Sequence, residues 1–219
     1  MPPAPAPVDV LSGYALWAER YPARPHNPLM AAEQAAMLSL LPENLAGRRC
    51  LDAACGSGRY LRILRDRRAA ITIGFDLSPH MLQQFTIHRS PFTVHHCLQS
   101  SFLRAPLPSS SVDVITCGLS IGHTPHLPAA IAELARVLLP GGLLLYSDIH
   151  PGGVRAGWQR TFTAADGRRF SLEHYRHTLP DHRRACEQAG LSLHSVLEPP
   201  LPGGSMPVVL VIGAVKTGR

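Results

Sequence analysis

The feature of this sequence that most limits its fold is a short apolar run that ends in a Gly-X-Gly turn. Residues 49–54 read Arg-Cys-Leu-Asp-Ala-Ala, Cys-Gly-Ser-Gly follows at 55–58, and a segment of helical character comes next. Because glycine has no side chain, the backbone N–H groups of Gly56 and Gly58 can approach a ligand at the start of that helix. The run therefore predicts a strand, a tight turn and a helix that together face a ligand.

An acidic residue lies at or just after the end of each of the first two apolar runs. Asp52 lies at the end of the first, where it can receive a positively charged or hydroxyl-bearing group. The second run, 70–75, ends in Asp76, eighteen residues beyond Gly58. Nucleotide-binding α/β folds place a carboxylate there to chelate a ribose diol. The turn and the two carboxylates together indicate an adenosine-containing ligand.

Four segments resemble the motifs of class I S-adenosylmethionine-dependent methyltransferases, in that family's order. They are Leu51-Asp-Ala-Ala-Cys-Gly-Ser-Gly58, Gly74-Phe-Asp-Leu-Ser-Pro-His-Met-Leu82, Ser111-Val-Asp-Val-Ile-Thr-Cys117 and Arg136-Val-Leu-Leu-Pro-Gly-Gly-Leu143. They cover about residues 48–148, and four motifs in order are specific where one alone is weak. The chain resembles the type 11-like, small-molecule group of that family, and the resemblance implies S-adenosyl-L-methionine as cofactor.

Strand and helix patterns alternate from Cys50 onward, which predicts an α/β fold with a parallel, doubly wound sheet. Strands are expected at 49–54, 70–75, 92–97, 112–117 and 142–147, and helices at 58–68, 79–88, 127–139 and 176–189. Two last strands, 191–197 and 208–215, have no helix between them and predict an antiparallel hairpin. The resemblance implies a Rossmann-like seven-stranded sheet whose last strand inserts antiparallel between its neighbours.

The domain organisation follows from composition and from the residues that begin helices and form turns. Residues 1–8 alternate proline with small residues and are expected to form a disordered tail. Residues 9–47 predict a helical cap, with one helix over 11–20 and a second that begins with Asn27 as N-cap and Pro28. The methyltransferase domain then covers 48–219, with an insertion at 151–175 that is expected to shape the substrate site. Asp166-Gly167 predicts a hairpin turn between short strands at 158–162 and 169–172.

Ligands of open parallel sheets lie outside the carboxyl ends of the strands. That rule collects the candidate cofactor-binding residues Asp52, Ala54, Gly56, Gly58, Asp76, Leu77, Met81, Gln99, Ser100, Ser101 and Cys117. By resemblance, Asp52 and the glycine turn hold the methionine part, Asp76 the ribose hydroxyls, and Leu77 and Met81 the adenine faces. Core packing is the alternative reading for the last two.

Two positions depart from the family pattern. Ala54 replaces the usual first glycine of the turn, and we expect closer packing rather than lost binding. Ser101 stands where an acidic residue usually meets the adenine amino group. A hydroxyl oxygen can accept the same hydrogen bond without charge assistance, so cofactor affinity is expected to be modest.

Methyl transfer from a sulfonium depends mainly on alignment, although an oxygen or nitrogen acceptor can also need a general base. His123, after the fourth strand, and His150, after the fifth, are the candidate bases, each weighed against a structural or solvated role. The candidate substrate-contacting residues are Tyr14, Trp17, Tyr21 and Trp158. For the three cap aromatics, packing between cap and core is an equally good interpretation.

The charge and cysteine patterns bear on partners. The formal charge is +6, but the arginines are scattered, and the cluster over 59–68 is expected to be the solvated side of one helix. Glu33 is likewise expected in solvent more than in the cleft. A nucleic-acid partner is therefore not favoured. The five cysteines lack C-x-x-C spacing, which predicts buried free thiols and no metal site.

No secretory signal or run long enough for a bilayer is present, so we expect a soluble, cytoplasmic protein without a membrane partner. The expected partner is a small-molecule methyl acceptor, and the oligomeric state cannot be predicted. Residues 117–123 read Cys-Gly-Leu-Ser-Ile-Gly-His and not Asn/Asp-Pro-Pro-Tyr/Phe, which counts against methylation of exocyclic amino groups or glutamine amides.

Three alternatives stay open beside small-molecule O- or N-methyl transfer. One is an RNA or tRNA methyltransferase, which the basic charge would suit although no RNA-binding appendage is recognisable. Another is a non-catalytic protein that binds the cofactor. The third, a dinucleotide-dependent dehydrogenase, is opposed by Leu61, which occupies the place of the third glycine of its fingerprint.

Overall fold

The computed structural model describes residues 4–85, 94–155 and 157–218. Its strands are β1 (Ala6–Val8), β2 (Arg49–Ala53), β3 (Ile71–Asp76), β4 (Val94–Gln99), β5 (Val112–Cys117), β6 (Leu138–Ile149), β7 (Arg160–Thr163), β8 (Arg169–Leu172), β9 (Leu191–Leu197) and β10 (Val209–Lys216). Its helices are α1 (Val10–Trp17), α2 (Pro28–Leu40), α3 (Arg59–Asp66), α4 (Pro79–Gln83), α5 (Leu127–Val137), α6 (Pro151–Arg155) and α7 (Leu179–Gln188).

The main sheet has seven strands in the order β4-β3-β2-β5-β6-β10-β9. Strands β2 to β6 are parallel, and β10 runs antiparallel between β6 and β9, so the predicted fold class is confirmed. From β2 the chain first proceeds outward to β3 and β4 and then returns to β5 on the other side of β2. The carboxyl ends of β2 and β5 therefore flank the crevice in which ligands of such sheets bind.

Helices α1, α2, α4 and α7 each begin at a residue whose side chain accepts a hydrogen bond from a free backbone N–H group. Asn27 caps α2 by accepting a hydrogen bond from the Met30 amide at 2.8 Å, as its sequence predicts. Helix α7 begins after a capping box of Thr178 and Asp181, three residues later than expected. Helix α5 ends at Val137, two residues early, because Leu138 already pairs with β5.

Two predicted elements extend beyond the described residues. The helix expected over 79–88 ends at Gln83, and its last three residues, 86–88, lie outside the description. The strand expected over 92–97 is observed as Val94–Gln99, and residues 92 and 93 are likewise outside.

A second, three-stranded sheet has the order β1-β8-β7. The hairpin of β7 and β8 turns at Gly167, whose φ is +83°, as Asp166-Gly167 predicts, although β7 begins at Arg160 and not at 158. The expectation of a disordered tail is wrong for Ala6–Val8. These residues pair in parallel with β8, which supplies backbone partners that a proline-rich composition does not reveal.

Helices cover both faces of the main sheet. One apolar cluster joins the sheet to α5 and α7, and another joins it to α2 and α3. All five cysteines are free; four are buried as expected, but Cys97, on the edge strand β4, is exposed. In the described part of the chain, no helix combines the length and the apolar character that crossing a membrane requires.

Candidate active site

A cleft of about 1070 Å³ lies at the carboxyl ends of the central strands, against the N-terminal cap. Eight of the predicted cofactor-binding residues line it, namely Asp52, Ala54, Gly56, Asp76, Leu77, Met81, Ser100 and Ser101. The topology therefore brings together residues that lie far apart in the sequence. Phe102 also lines the cleft, next to Ser101, and the sequence reading missed it.

Three predicted cofactor-binding residues do not line the cleft. Gly58, with a φ of +85°, is covered by Phe85, whose ring would lie 2.1 Å from a Cβ at that position. Gln99 donates its side-chain amide to the Leu77 carbonyl at 3.3 Å. Cys117 is fully buried in the core, because alternation along β5 points its side chain away from the crevice. Gly118, one residue on, lines the cleft instead.

The glycine turn is bonded directly to Asp76. One carboxylate oxygen accepts a hydrogen bond from the Gly56 amide at 2.8 Å, and the other accepts from the Ser78 amide at 2.8 Å. Gly56 has a φ of +54°, a backbone conformation that residues with a side chain rarely adopt. A Cβ there would also lie only 3.1 Å from the Met81 methyl group, so both the backbone and the packing favour glycine. Burial raises the pKa of Asp76, although both amides favour its charged form.

Two buried polar atoms beside the turn have no partner among the described residues. Asp52 receives a hydrogen bond from the Thr116 hydroxyl on Oδ1 at 2.8 Å, but its Oδ2 accepts none. The Ser57 hydroxyl is also buried and unpartnered. Burial raises the pKa of Asp52 to about 7. Both residues line the cleft, so this end is suited to a ligand that brings a hydrogen-bond donor and a positive charge.

The effect of Ala54 is on the backbone. Its φ is +55°, in the left-handed region that costs a non-glycine residue about 1–2 kcal/mol. Leu119, which also lines the cleft, has a φ of +53°. The alanine at the usual glycine position therefore stores strain, which the expectation of closer packing did not include.

A buried ionic network lies beneath the cleft. Glu33 is fully buried and accepts hydrogen bonds from Arg59 at 2.7 Å, from the Tyr60 hydroxyl at 2.8 Å and from the Ser147 hydroxyl at 2.7 Å. The expectation that Glu33 and Arg59 are solvated is wrong. Arg59 follows the glycine turn at the start of α3, so its side chain is directed to the cleft, which it lines, and not to the outer face of the helix.

A second polar group surrounds Arg160, which the sequence reading did not single out. Its Nη1 lies 2.5 Å from Nε2 of His123, 2.7 Å from the Leu119 carbonyl oxygen and 3.0 Å from the Tyr14 hydroxyl. The only signal in the sequence was the position of Arg160 in the insertion after the fifth strand. Neither charge nor spacing could indicate that this strand folds back against the cap.

His123 is held as a neutral acceptor. Its Nδ1 lies 2.9 Å from the Glu173 carbonyl, to which it must donate, so Nε2 carries the lone pair that faces Arg160 and Tyr14. Burial and the Arg160 charge lower the pKa of His123 to about 3. His123 lines the cleft as predicted, but this environment does not favour a role as general base.

The other predicted residues separate into two groups. Tyr14 and Tyr21 line the cofactor cleft, and Trp17 stacks on Phe162 with ring centroids 4.9 Å apart, outside that cleft. Trp158 packs over Gly153, and His150 pairs with Glu198 at 2.9 Å. Neither Trp158 nor His150 lines a described cavity. The structure therefore does not bring His150 to the site, because its ring pairs with Glu198, in the segment after β9, and does not line the cleft.

A second cavity, of about 790 Å³, adjoins the cleft. It shares Tyr21 and Leu119 with the cofactor cleft, and Arg160 lies in its wall. Most of its other lining residues are apolar: Trp17, Pro28, Leu29, Met30, Ile149 and Leu201. The cavity therefore has an apolar body and one cationic side chain.

A doubly wound sheet with an inserted antiparallel strand, a glycine turn and carboxylates at the ends of β2 and β3 define the fold of class I S-adenosylmethionine-dependent methyltransferases. Residues 51–146 match a family model described as a methyltransferase domain. This match, the relatives named as methyltransferases and the shared fold support a class I S-adenosylmethionine-dependent methyltransferase.

Individual proteins agree with this assignment. A malonyl-[acyl-carrier protein] O-methyltransferase of Serratia marcescens is 36% identical over 117 residues, which are 52% of this chain and 44% of that protein. The chain spans about half the length of the first curated relatives that it matches.

Solved structures show the same fold. An S-adenosylmethionine dependent methyltransferase from Mesorhizobium loti superimposes with a TM-score of 0.70 at 21% identity, covering 87% of this chain and all of that one. A structure described as a DhpI–SAM–HEP complex has a TM-score of 0.71 at 21% identity and covers 93% of this chain and 94% of that one.

The residues present fit S-adenosylmethionine. Asp52 Oδ2 and the Ser57 hydroxyl are acceptors without donors at one end of the cleft, and the cofactor has an ammonium group to offer. Leu77, Met81 and Phe102 supply apolar surface that suits an adenine ring.

Proposed function

We propose that this chain transfers a methyl group from S-adenosyl-L-methionine to an oxygen or nitrogen atom of a small molecule. The observation that carries the proposal is the unpartnered Oδ2 of Asp52, buried beside the Gly56 turn in the cleft. An oxygen acceptor is the better supported of the two, because matched relatives are named O-methyltransferases.

The cofactor is held along the ends of the strands. Asp52 and Ser57 bind the methionine ammonium, and Asp76 accepts from the ribose hydroxyls with lone pairs that its two amide donors leave free. Leu77 and Met81 enclose the adenine ring, and Ser101 accepts from its amino group. Because Ser101 is neutral, this last bond lacks the charge assistance that an acidic residue provides.

When bound, S-adenosylmethionine would supply an electrophilic methyl carbon: a lone pair of the acceptor forms the new bond to that carbon, and the sulfur keeps the electron pair of the methyl–sulfur bond that breaks. The chain's own residues then have the task of orienting the acceptor and excluding water. Tyr14 and Tyr21, from the cap, close the cleft on the acceptor side. The five free cysteines favour work in a reducing compartment such as the cytoplasm.

Calorimetric titration with S-adenosylmethionine, S-adenosylhomocysteine and NADH tests the proposal. We expect the two sulfur nucleotides to bind and NADH not to bind, and Asp52→Asn to weaken binding of S-adenosylmethionine by about 10- to 100-fold. Asp66→Asn, at an exposed site on α3, is the matched control and should bind normally. Binding of NADH alone, or of no nucleotide, would remove the basis for a methyltransferase.

A further inference from the structure

The Arg160 guanidinium has an unusual environment for a cation inside a protein. The three groups within hydrogen-bond distance of its Nη1 are neutral: the Tyr14 hydroxyl, the Leu119 carbonyl and the His123 ring. Within the described ranges, no carboxylate lies close enough to form an ion pair with it. Asp148 acts on Arg160 through space but is itself hydrogen bonded to His174 at 2.9 Å.

These neutral partners hold the guanidinium in place without cancelling its charge. His123 is anchored by Glu173 through its other nitrogen, and the Leu119 carbonyl is part of the cleft wall. A partly buried cation that is oriented but not neutralised is costly unless an anion completes it. The expected ligand of Arg160 is therefore negatively charged and planar, because a guanidinium binds carboxylates in a bidentate manner.

The position of Arg160 relates this charge to the two cavities. Arg160 lines the second cavity, whereas Tyr14, Leu119 and His123 line the cofactor cleft. Tyr21 and Leu119 belong to both walls, so a ligand head group beside Arg160 is adjacent to the cofactor cleft. The rest of the second cavity is mainly apolar.

We infer that the second cavity is the acceptor site and takes a carboxylic acid with an apolar body, whose carboxylate binds Arg160. The apolar part lies among Trp17, Leu29, Met30 and Leu201. This inference rests on the proposed function, since it names the substrate class of the same site. It adds a specificity-determining residue outside residues 51–146, which match the common methyltransferase domain.

The chemistry agrees with this substrate class. A carboxylate oxygen forms the new bond to the methyl carbon as the methyl–sulfur bond breaks, and the products are a neutral methyl ester and S-adenosylhomocysteine. No proton has to leave, because a carboxylic acid is already ionised near neutral pH. The site therefore needs no general base, which agrees with a His123 lone pair that is occupied by Arg160.

The first experiment measures binding to protein saturated with S-adenosylhomocysteine, with octanoate and octanamide as probes. We expect octanoate to bind at least 10-fold more tightly than octanamide. Arg160→Gln should abolish the preference by weakening octanoate binding about 10- to 100-fold. Arg160→Lys, which retains the charge without the planar fork, should lose less. Arg169→Gln, at an exposed arginine of the neighbouring strand β8, is the control.

The second experiment tests the cavity. Leu201→Trp should fill part of it, so that binding weakens more for decanoate than for butanoate. Met206→Trp, at an exposed residue of the same loop, should leave the chain-length profile unchanged. Methyl ester formation from the acid that binds best, followed with a methyl-labelled cofactor, then checks that the bound acid is an acceptor.

The outcomes separate the two proposals. If S-adenosylhomocysteine does not bind the unaltered protein, the proposed function fails first. If it binds but octanamide equals octanoate, or Arg160→Gln retains the preference, the acceptor inference alone is overturned. If Leu201→Trp leaves the dependence of binding on acid chain length unchanged, the assignment of the second cavity as the acceptor site is overturned.

Discussion

Oδ2 of Asp76 accepts a 2.8 Å hydrogen bond from the amide of Gly56, which ties the turn after β2 to the end of β3. The two residues lie twenty positions apart in the chain. The bond sets the distance between the part of the cleft that suits the methionine end of the cofactor and the part that suits its ribose.

The first prediction concerns this carboxylate. Asp76→Ala removes the acceptors for the ribose hydroxyls, so binding of S-adenosylmethionine should weaken by on the order of 2–3 kcal/mol. Calorimetry measures the dissociation constant, and thermal unfolding separates this effect from the loss of the Gly56 bond. Asp66→Ala, on the exposed side of α3, is the control. A dissociation constant that stays the same would exclude Asp76 from the cofactor site.

The second prediction concerns pH and stability. The folded-state pKa of Asp52, about 7, exceeds the value of about 3.9 for an unperturbed aspartate. Between these values the native protein retains a proton that the unfolded chain releases, so the contribution of Asp52 to stability falls as pH rises from about 4 to about 7. The loss is on the order of 4 kcal/mol, and it is complete above that range.

The comparison of the unaltered protein with Asp52→Asn isolates this effect from other titrating groups. The asparagine variant should gain relative stability as pH rises from 4 to 7 and then level off. Urea unfolding at pH 5, 6, 7 and 8 measures the difference in the free energy of unfolding. A difference that does not change with pH would mean that the pKa of Asp52 is not raised.

The third prediction connects Asp52 with the cofactor. A bound ammonium stabilises the charged form of Asp52, so binding should release a proton when the pH is below about 7. The affinity for S-adenosylmethionine should rise with pH and reach a plateau above neutrality. Calorimetry in buffers of different ionisation enthalpy counts the released proton, and Asp52→Asn should release none. An affinity that is constant between pH 6 and 8 would contradict the prediction.

Much of the fold could be predicted from the sequence because its signals are local. Apolar runs that end in Asp52 and Asp76, a glycine turn and an N-cap at Asn27 each determine backbone geometry within a few residues. The cofactor end of the cleft follows from the same motifs, since strands of a parallel sheet end on one side.

The acceptor end could not be predicted, because its residues meet only through tertiary contacts. Arg160 and His123 lie 37 positions apart, and the sequence contains no repeated spacing that would pair them. The burial of Glu33 with Arg59 could not be predicted either, because a charged residue on a helix is normally exposed to solvent. His150 is an error of the opposite kind. A histidine after a strand is a plausible general base, but the ring of His150 pairs with Glu198 and does not face the cleft.

The fourth prediction tests the strained turn. Ala54→Gly relieves a φ of +55° but adds freedom to the unfolded chain, so the net gain should be about 0.5–1 kcal/mol. The melting temperature should rise by about 1–4 °C. Ala165→Gly, in an exposed turn without a positive φ, should instead have no effect or destabilise slightly. Equal shifts in the two variants would show that Ala54 stores no strain.

The last prediction concerns the ionic network beneath the cleft. Glu33→Gln leaves the buried Arg59 without its counter-charge, and breaking a buried pair costs about 3–5 kcal/mol. Urea unfolding measures the loss, with Glu43→Gln at an exposed position as the control. Replacing both partners by leucine should cost less than the sum of the single leucine variants, because no lone charge then stays buried. If Glu33→Gln loses less than 1 kcal/mol, Arg59 must reach solvent once its partner is removed, and its place in the cleft would then depend on Glu33.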